Sequence, residues 1–184
     1  MATPLGHALA GVALGSLATG RHDLIGPRAD LALFAALAVL PDLDFIPGLL
    51  SGDMAAWHHG ASHSLGAALL CALAMALIGR RRGGAAIWWA WAGFMVWASH
   101  VLVDYLTLDT LPPHGVPLFW PFSAEYFRTD NWVFLDVKRG LSMAVFWHDI
   151  KAAVWETLIL APLAAWGAWF RLRRAAIAQM ETEA

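Results

Sequence analysis

Apolar residues gather into five stretches along the chain, at about 4–19, 31–40, 64–78, 85–108 and 152–170. The last two are long enough to cross the ~30 Å hydrocarbon core of a bilayer as helices, and the first three are short. Short apolar runs also occur as buried helices of soluble bundles, so the polar residues between the runs have to decide. Arg21 and Arg28 follow the first stretch, Arg80, Arg81 and Arg82 the third, and Arg171, Arg173 and Arg174 the fifth. Every odd stretch therefore ends in arginine. Under the positive-inside rule one topology satisfies all three clusters: five crossings, with the N-terminus outside and the C-terminus inside. Trp88, Trp89, Trp91, Trp166 and Trp169 flank two of the clusters, where amphipathic rings favour the headgroup zone, and are predicted to form an inner aromatic belt.

The interval 109–151 is rich in proline, glycine, aromatics and mixed charge and is expected to form a partly irregular outer cap. Residues 176–184, ending in "QMETEA", are expected as a short disordered tail. The whole reads as one all-α unit, residues 1–184: a polytopic membrane helical bundle of about five spans.

Composition agrees with this pattern. Hydrophobic residues make up 59% and charged residues 14%, against roughly 45–50% and about 25% in soluble domains. The formal charge of −2 gives no basic excess to neutralise a phosphate backbone, so no nucleic-acid partner is expected and membrane lipid is. The single cysteine, Cys71, excludes an internal disulfide. No lysine or arginine precedes the apolar start "MATPLGHALAGVALGSLATG", so a removed signal peptide is not expected.

The candidate chemistry lies in what interrupts the apolar runs. His7 opens the first, and Asp42 and Asp44 in "PDLDF" close the second. "HHGASHSLG" places His58, His59 and His63 before the third, and His100 and Asp104 in "SHVLVDYLT" close the fourth. In the predicted topology all of them reach the outer side. An aspartate in a span costs about 2.5–3.5 kcal/mol on insertion scales, so such groups pair or bind something. His100 and Asp104 are four apart and share a helix face. Pro41 should break its helix and free Asp42 and Asp44 to turn to one centre. His59 and His63 are also four apart, Gly60 permits a close backbone approach, and Ser62 or Ser64 is a candidate cap for the next helix. Imidazole nitrogen with carboxylate oxygen, and no thiolate, suits zinc first and manganese, iron or magnesium next. The donors exceed what one tetrahedral ion needs, so one or two ions are expected, a pair lying about 3.5–4 Å apart.

The motifs "GHALAG", "PDLDFIP", "HHGASHSLG", "SHVLVDYLT" and "GVPLFWPFS", in this order over roughly residues 4–123, resemble the YdjM-type inner-membrane metal-dependent hydrolases. The resemblance implies a site near the outer face of a bacterial inner membrane. It puts His7, Asp42, Asp44, His58, His63, His100 and Asp104 on presumed metal positions; in a hydrolase built on that site, Asp42 or Asp44 is the expected catalytic base. The chain departs from the family pattern at His59, where arginine is common. His59 is therefore either a further ligand or a substrate-binding group in place of an anion clamp, and His114 and Ser123 are further substrate-side candidates. The order of ligands is also similar, more distantly, to the zinc phospholipase C and single-strand nuclease superfamily. The later HxxxE pair of that superfamily is missing, since Ala152 follows His148 by four.

The expectation is a membrane-embedded hydrolase that cleaves a phosphoester or related ester, of a lipid for example, with metal-activated water. The alternative is a non-catalytic divalent-metal-binding or metal-transport protein. A metal-free lipid phosphatase using His100 lacks its basic partners, and a metalloprotease lacks HExxH or its reverse.

Overall fold

A computed structural model of the chain describes residues 1–19, 22–52 and 57–183, and among them there are six α-helices and no strand. Helix α1 (Pro4–Ala18) starts where Thr3 accepts the Gly6 N–H and Pro4 occupies the first turn, where its missing donor costs nothing. Helix α2 (Pro27–Val39) runs into a 3₁₀ turn, Leu40–Asp44, and then α3 (Phe45–Ser51). Helix α4 (Leu65–Arg81) is capped by Ser64, which accepts the Ala67 N–H at 3.1 Å; α5 is Ala86–Tyr105 and α6 is Met143–Glu183.

Three segments are long and apolar enough to cross a membrane, Pro27–Ser51, Ala86–Tyr105 and Met143–Glu181, and α1 is a shorter apolar helix. Helix α1 packs against α6, α5 and α2, and α4 lies along α5. One core cluster joins Phe34, Cys71, Met75, Trp89 and Val96, and another joins Ala2, Ala10, Val103, Phe134 and Leu160.

Pro41 ends α2 as expected, at the change from α-helix to 3₁₀ geometry; it sits in the first turn of the 3₁₀ element, which needs no donor from it, and the chain continues into α3 within one 25-residue apolar segment. Other local expectations change. The cap is shorter than 109–151, because residues 143–151 already belong to α6. Ser142 starts that helix by accepting the Val145 N–H at 3.2 Å. The tail expected from 176 is helical to Glu183, since alanine, glutamine, methionine and glutamate are strong helix formers.

Trp89 is fully buried against Phe34, whereas Trp88, Trp91, Trp166 and Trp169 are exposed as a belt requires. Arg171 is also buried. It pairs with Asp30 at 2.5 Å and Asp23 at 2.6 Å, donates to the Thr19 hydroxyl, and lies over the Phe34 ring. It thus locks α6 to α1 and α2. Arg21 lies outside the described residues.

The cap, residues 107–142, is irregular and held by scattered bonds. Leu108 donates to the Phe134 carbonyl at 2.9 Å and Val133 to the Leu106 carbonyl at 2.7 Å. Val116 and Phe127 exchange two bonds of 2.9 Å, and Leu65 at the start of α4 donates to the Leu118 carbonyl at 3.0 Å. These bonds set the cap over the chain ends of the bundle that carry the histidines.

Candidate metal centre

Four separate parts of the chain converge. His7 comes from the first turn of α1 and Asp42 from the 3₁₀ turn after α2. His58, His59 and His63 come from the loop before α4, and His100 and Asp104 from the last turns of α5. His59 has φ of 62°, a left-handed conformation that a histidine adopts only when its surroundings hold it there.

Asp104 and Asp42 lie at the middle. His7 Nε2 is 3.4 Å from Asp104 and 3.9 Å from Asp42. His63 Nε2 is 3.4 Å from Asp104 and 3.6 Å from Asp42, and His100 Nε2 is 3.2 Å and 3.6 Å from the same two. His59 Nε2 reaches Asp104 at 3.8 Å. The His7 and His100 rings stack with centroids 3.8 Å apart. Two groups have donor atoms mutually within 4.8 Å, His58, His59 and His63 in one and His7, Asp42, His100 and Asp104 in the other. His63 and Asp104 join them.

The outward nitrogens fix which tautomer each ring takes. His58 Nδ1 lies 2.9 Å from Asp44, His63 Nδ1 3.1 Å from Asp44, His59 Nδ1 3.0 Å from the Gly115 carbonyl, and His100 Nδ1 2.8 Å from the Ala38 carbonyl. Oxygens that can only accept hold each Nδ1 as N–H, which leaves the Nε2 lone pairs facing the centre. Metal-binding histidines are oriented in this way.

Nine buried nitrogen and oxygen atoms of these residues have no hydrogen-bond partner. They are both nitrogens of His7, both oxygens of Asp42, Asp104 Oδ2, and Nε2 of His58, His59, His63 and His100. An unmet buried polar group costs about 1–3 kcal/mol, so a cluster of this size favours a shared partner. Burial alone would lower His63, but the carboxylates of Asp42, Asp44 and Asp104 around it outweigh burial and raise the ring to about 9. The carboxylates therefore draw positive charge to this point, as a divalent cation would supply. Burial pushes His59 down to about 3, only partly opposed by Asp104, which keeps that ring neutral and able to ligate. The buried histidines and aspartates form a site that can hold metal ions, and their nitrogen and oxygen donors fit zinc, manganese or iron.

The residues predicted from sequence do not all arrive at the centre. Asp44, expected as a ligand or base, faces the backs of the rings. Besides His58 and His63 it accepts from the Gly60 N–H at 3.1 Å and the Ser62 hydroxyl at 2.9 Å, so its oxygens are already engaged. His59, expected either as a further ligand or on the substrate side, points its free Nε2 into the cluster. His114 is half-exposed beside Asp109 at 3.6 Å, and Ser123 caps the cap's own Glu125 N–H at 3.1 Å, so neither touches the cluster.

Glu156 was not anticipated. It is fully buried on α6 and accepts the Thr3 N–H at 2.9 Å, while the Ala2 N–H next to it donates to Asp104 at 2.9 Å. A lone glutamate inside the apolar run 152–170 was a sufficient signal by itself.

These features define a polytopic helical membrane protein with a buried histidine–aspartate cluster, able to hold a metal ion, at one end of its bundle. The chain belongs to the YdjM inner membrane protein family, whose model matches residues 1–175, and it is an integral membrane protein. No curated protein and no solved structure matches it.

Proposed function

We propose that the protein is a metal-dependent hydrolase of the inner membrane that cleaves a phosphoester, of a lipid or a lipid-linked molecule, at the histidine–aspartate cluster. The observation that carries this reading is the set of seven buried residues with unpartnered donor atoms, divided between two groups that meet at His63 and Asp104. Such a set would suit one or two divalent ions. When bound, divalent ions supply Lewis-acid chemistry, acidifying water and stabilising charge that builds on phosphoryl oxygens.

The chain's own residues prepare the site for this. His7, His58, His59, His63, His100, Asp42 and Asp104 would hold the ions, and Asp44 and the Ala38 and Gly115 carbonyls fix the rings. Asp42 keeps both oxygens free of protein partners, so it is the carboxylate able to ligate or to take a proton. The surrounding helices exclude bulk water, which strengthens every charge interaction at the centre.

Zinc is the expected metal. The proposed orientation puts this end of the bundle outside and Arg28, Arg80, Arg81, Arg82, Arg173 and Arg174 in the cytoplasm, where the positive-inside rule requires them. Exposed apolar side chains such as Leu49, Leu50 and Trp57 lie close in sequence to the site and suit sideways access from the leaflet.

The test is metal analysis of protein purified in detergent, with assays on phosphatidic acid and a simple phosphodiester before and after chelation. Turnover that falls on chelation and returns with zinc is expected. Stoichiometric metal without hydrolysis of any ester would favour the storage or transport reading, which sealed vesicles test by metal flux.

A further inference from the structure

Helices α1, α5 and α6 leave an apolar groove of about 230 Å³ between them. Its floor is built from small buried residues, Ala10 and Ala13 of α1 and Ser99 of α5, and its rim from Leu102 and Leu163, which are exposed on the outside of the bundle. The Ser99 hydroxyl is spent on the Val96 carbonyl at 2.6 Å, so it offers nothing polar to an occupant.

One end of the groove adjoins the histidine–aspartate cluster. Ala10 and Val103, which line it, pack with Ala2, Phe134 and Leu160 in one core cluster, and the Ala2 N–H donates to Asp104 at 2.9 Å. On α1 the groove begins one turn below His7 and ends at Leu17, about 15 Å below it at ~1.5 Å per residue. That is half of the ~30 Å hydrocarbon core, the depth of one leaflet.

The width of the groove decides what enters it. From Ala10 to Leu17, and from Leu106 to Ser99, it runs about 10 Å, so its volume leaves a channel about 5 Å across. A helix, about 10–12 Å across with its side chains, is too wide to lie in it. A single hydrocarbon chain, whose carbons pack at about 3.5–4.0 Å, fits.

We infer that this groove is an acyl-chain site, holding one tail of a bilayer lipid so that the headgroup end lies against the cluster. The inference rests on the metal-site reading above and narrows its substrate to a lipid presented from within the leaflet, not a water-soluble phosphoester. Lipid tails are as apolar as leucine, so the groove draws a tail by packing and not by removing it from water. A tail fixed along α1 sets the depth at which its headgroup meets His7 and Asp104.

The experiment maps where a tail lies. Full-length protein with its zinc is placed in phosphatidylethanolamine vesicles containing phosphatidic acid that carries a photoreactive diazirine midway along one tail, and labelled residues are identified by peptide mass spectrometry. Labelling at Leu14, Leu17, Leu102 and Leu163 should exceed labelling at Leu69, Leu70 and Leu73, exposed on α4, about tenfold, equivalent to ~1.4 kcal/mol of packing. Ala13→Phe, which fills the floor, should bring the two faces level with zinc content unchanged. Leu17→Trp, at the far end, should lower labelling by a diazirine at the tail tip and spare one near the headgroup. Equal labelling of both faces in the wild type, a result that depends on no variant, would overturn the inference, as would undiminished groove labelling in both variants. Cross-links between two protein copies at these leucines, in place of lipid, would overturn it in favour of a second copy. Groove labelling without hydrolysis of any ester would sink the hydrolase reading and leave the groove assigned. Zinc-dependent hydrolysis of phosphatidic acid without groove labelling would leave the enzyme and remove the groove.

Discussion

Glu156 of α6 accepts the backbone N–H of Thr3 at 2.9 Å, and both residues are buried. The Thr3 hydroxyl also donates to this carboxylate, so a negative charge sits at the N-terminus of α1, where the helix dipole favours it. A Cβ on Gly6 would come within 2.3 Å of Glu156 Oε2, so the first residue of "GHALAG" must be small to let the two helices meet. His7 follows directly, and the bond thereby sets the direction in which it faces.

Glu156→Ala should lower stability by about 1.5–3 kcal/mol, as expected for a lost charged hydrogen bond that leaves a buried N–H unmet. Bound metal should fall with it, because His7 loses its anchor, and Glu156→Gln should cost less. Thermal unfolding in detergent alongside metal analysis checks this; a neutral Glu156→Ala would refute the anchoring role.

Asp44→Asn should leave the fold intact and weaken metal binding by about 10–100-fold, the range for a residue that orients ligands without touching the ion. Asp104→Ala, by contrast, should abolish binding in both groups, and His114→Ala and Ser123→Ala should change nothing. Competition with a chromogenic chelator ranks the four variants.

Gly66→Ala should loosen the cap. A Cβ there would meet the Trp120 carbonyl oxygen at 2.2 Å and Pro121 at 3.1 Å, and the backbone cannot yield as a flexible side chain would. A loss of about 1–3 kcal/mol is expected, as for overpacking elsewhere, with faster proteolysis between 107 and 142 than in wild type. Unchanged cleavage would mean that the cap does not rest on α4.

Asp136 gives the cap an acid limit. Burial by itself would raise its carboxyl, but bonds from Thr110 and His148 outweigh burial and hold it below the ordinary aspartate value. A depressed carboxyl stabilises the folded form above its unfolded pKa and loses that contribution as pH falls through the folded one. Cap stability, followed by proteolysis or tryptophan fluorescence, should therefore hold at neutral pH and decline below about pH 4. Asp136→Asn should be weaker at neutral pH and lack this decline.

Much of the site could be read from residue type. His100 and Asp104 face one centre because four residues of helix bring two side chains to one face, and α5 is the helix that its apolar pattern predicts. His7, Asp42 and the histidine loop stood out because ionisable groups are rare in apolar runs. The roles of Asp44 and His59 were not legible. Both lie in irregular backbone, where no period fixes direction, and the left-handed φ of His59 turns its ring toward the cluster. The cap was visible only as an interruption, since its bonds run to Met1, Leu65 and Leu106, contacts with no sequence signature.

The sequence by itself determined a helical membrane chain and the chemistry of its polar residues, because hydropathy and ligand type are properties of the side chains. Only the tertiary structure decided which of them are neighbours: that Asp44 stands behind the rings, that His59 joins them, and that Glu156 holds α1 in place. Those outcomes depend on helix packing and on where each buried N–H and carbonyl finds its partner, and residues 14 to 153 positions apart meet only once the whole bundle has formed.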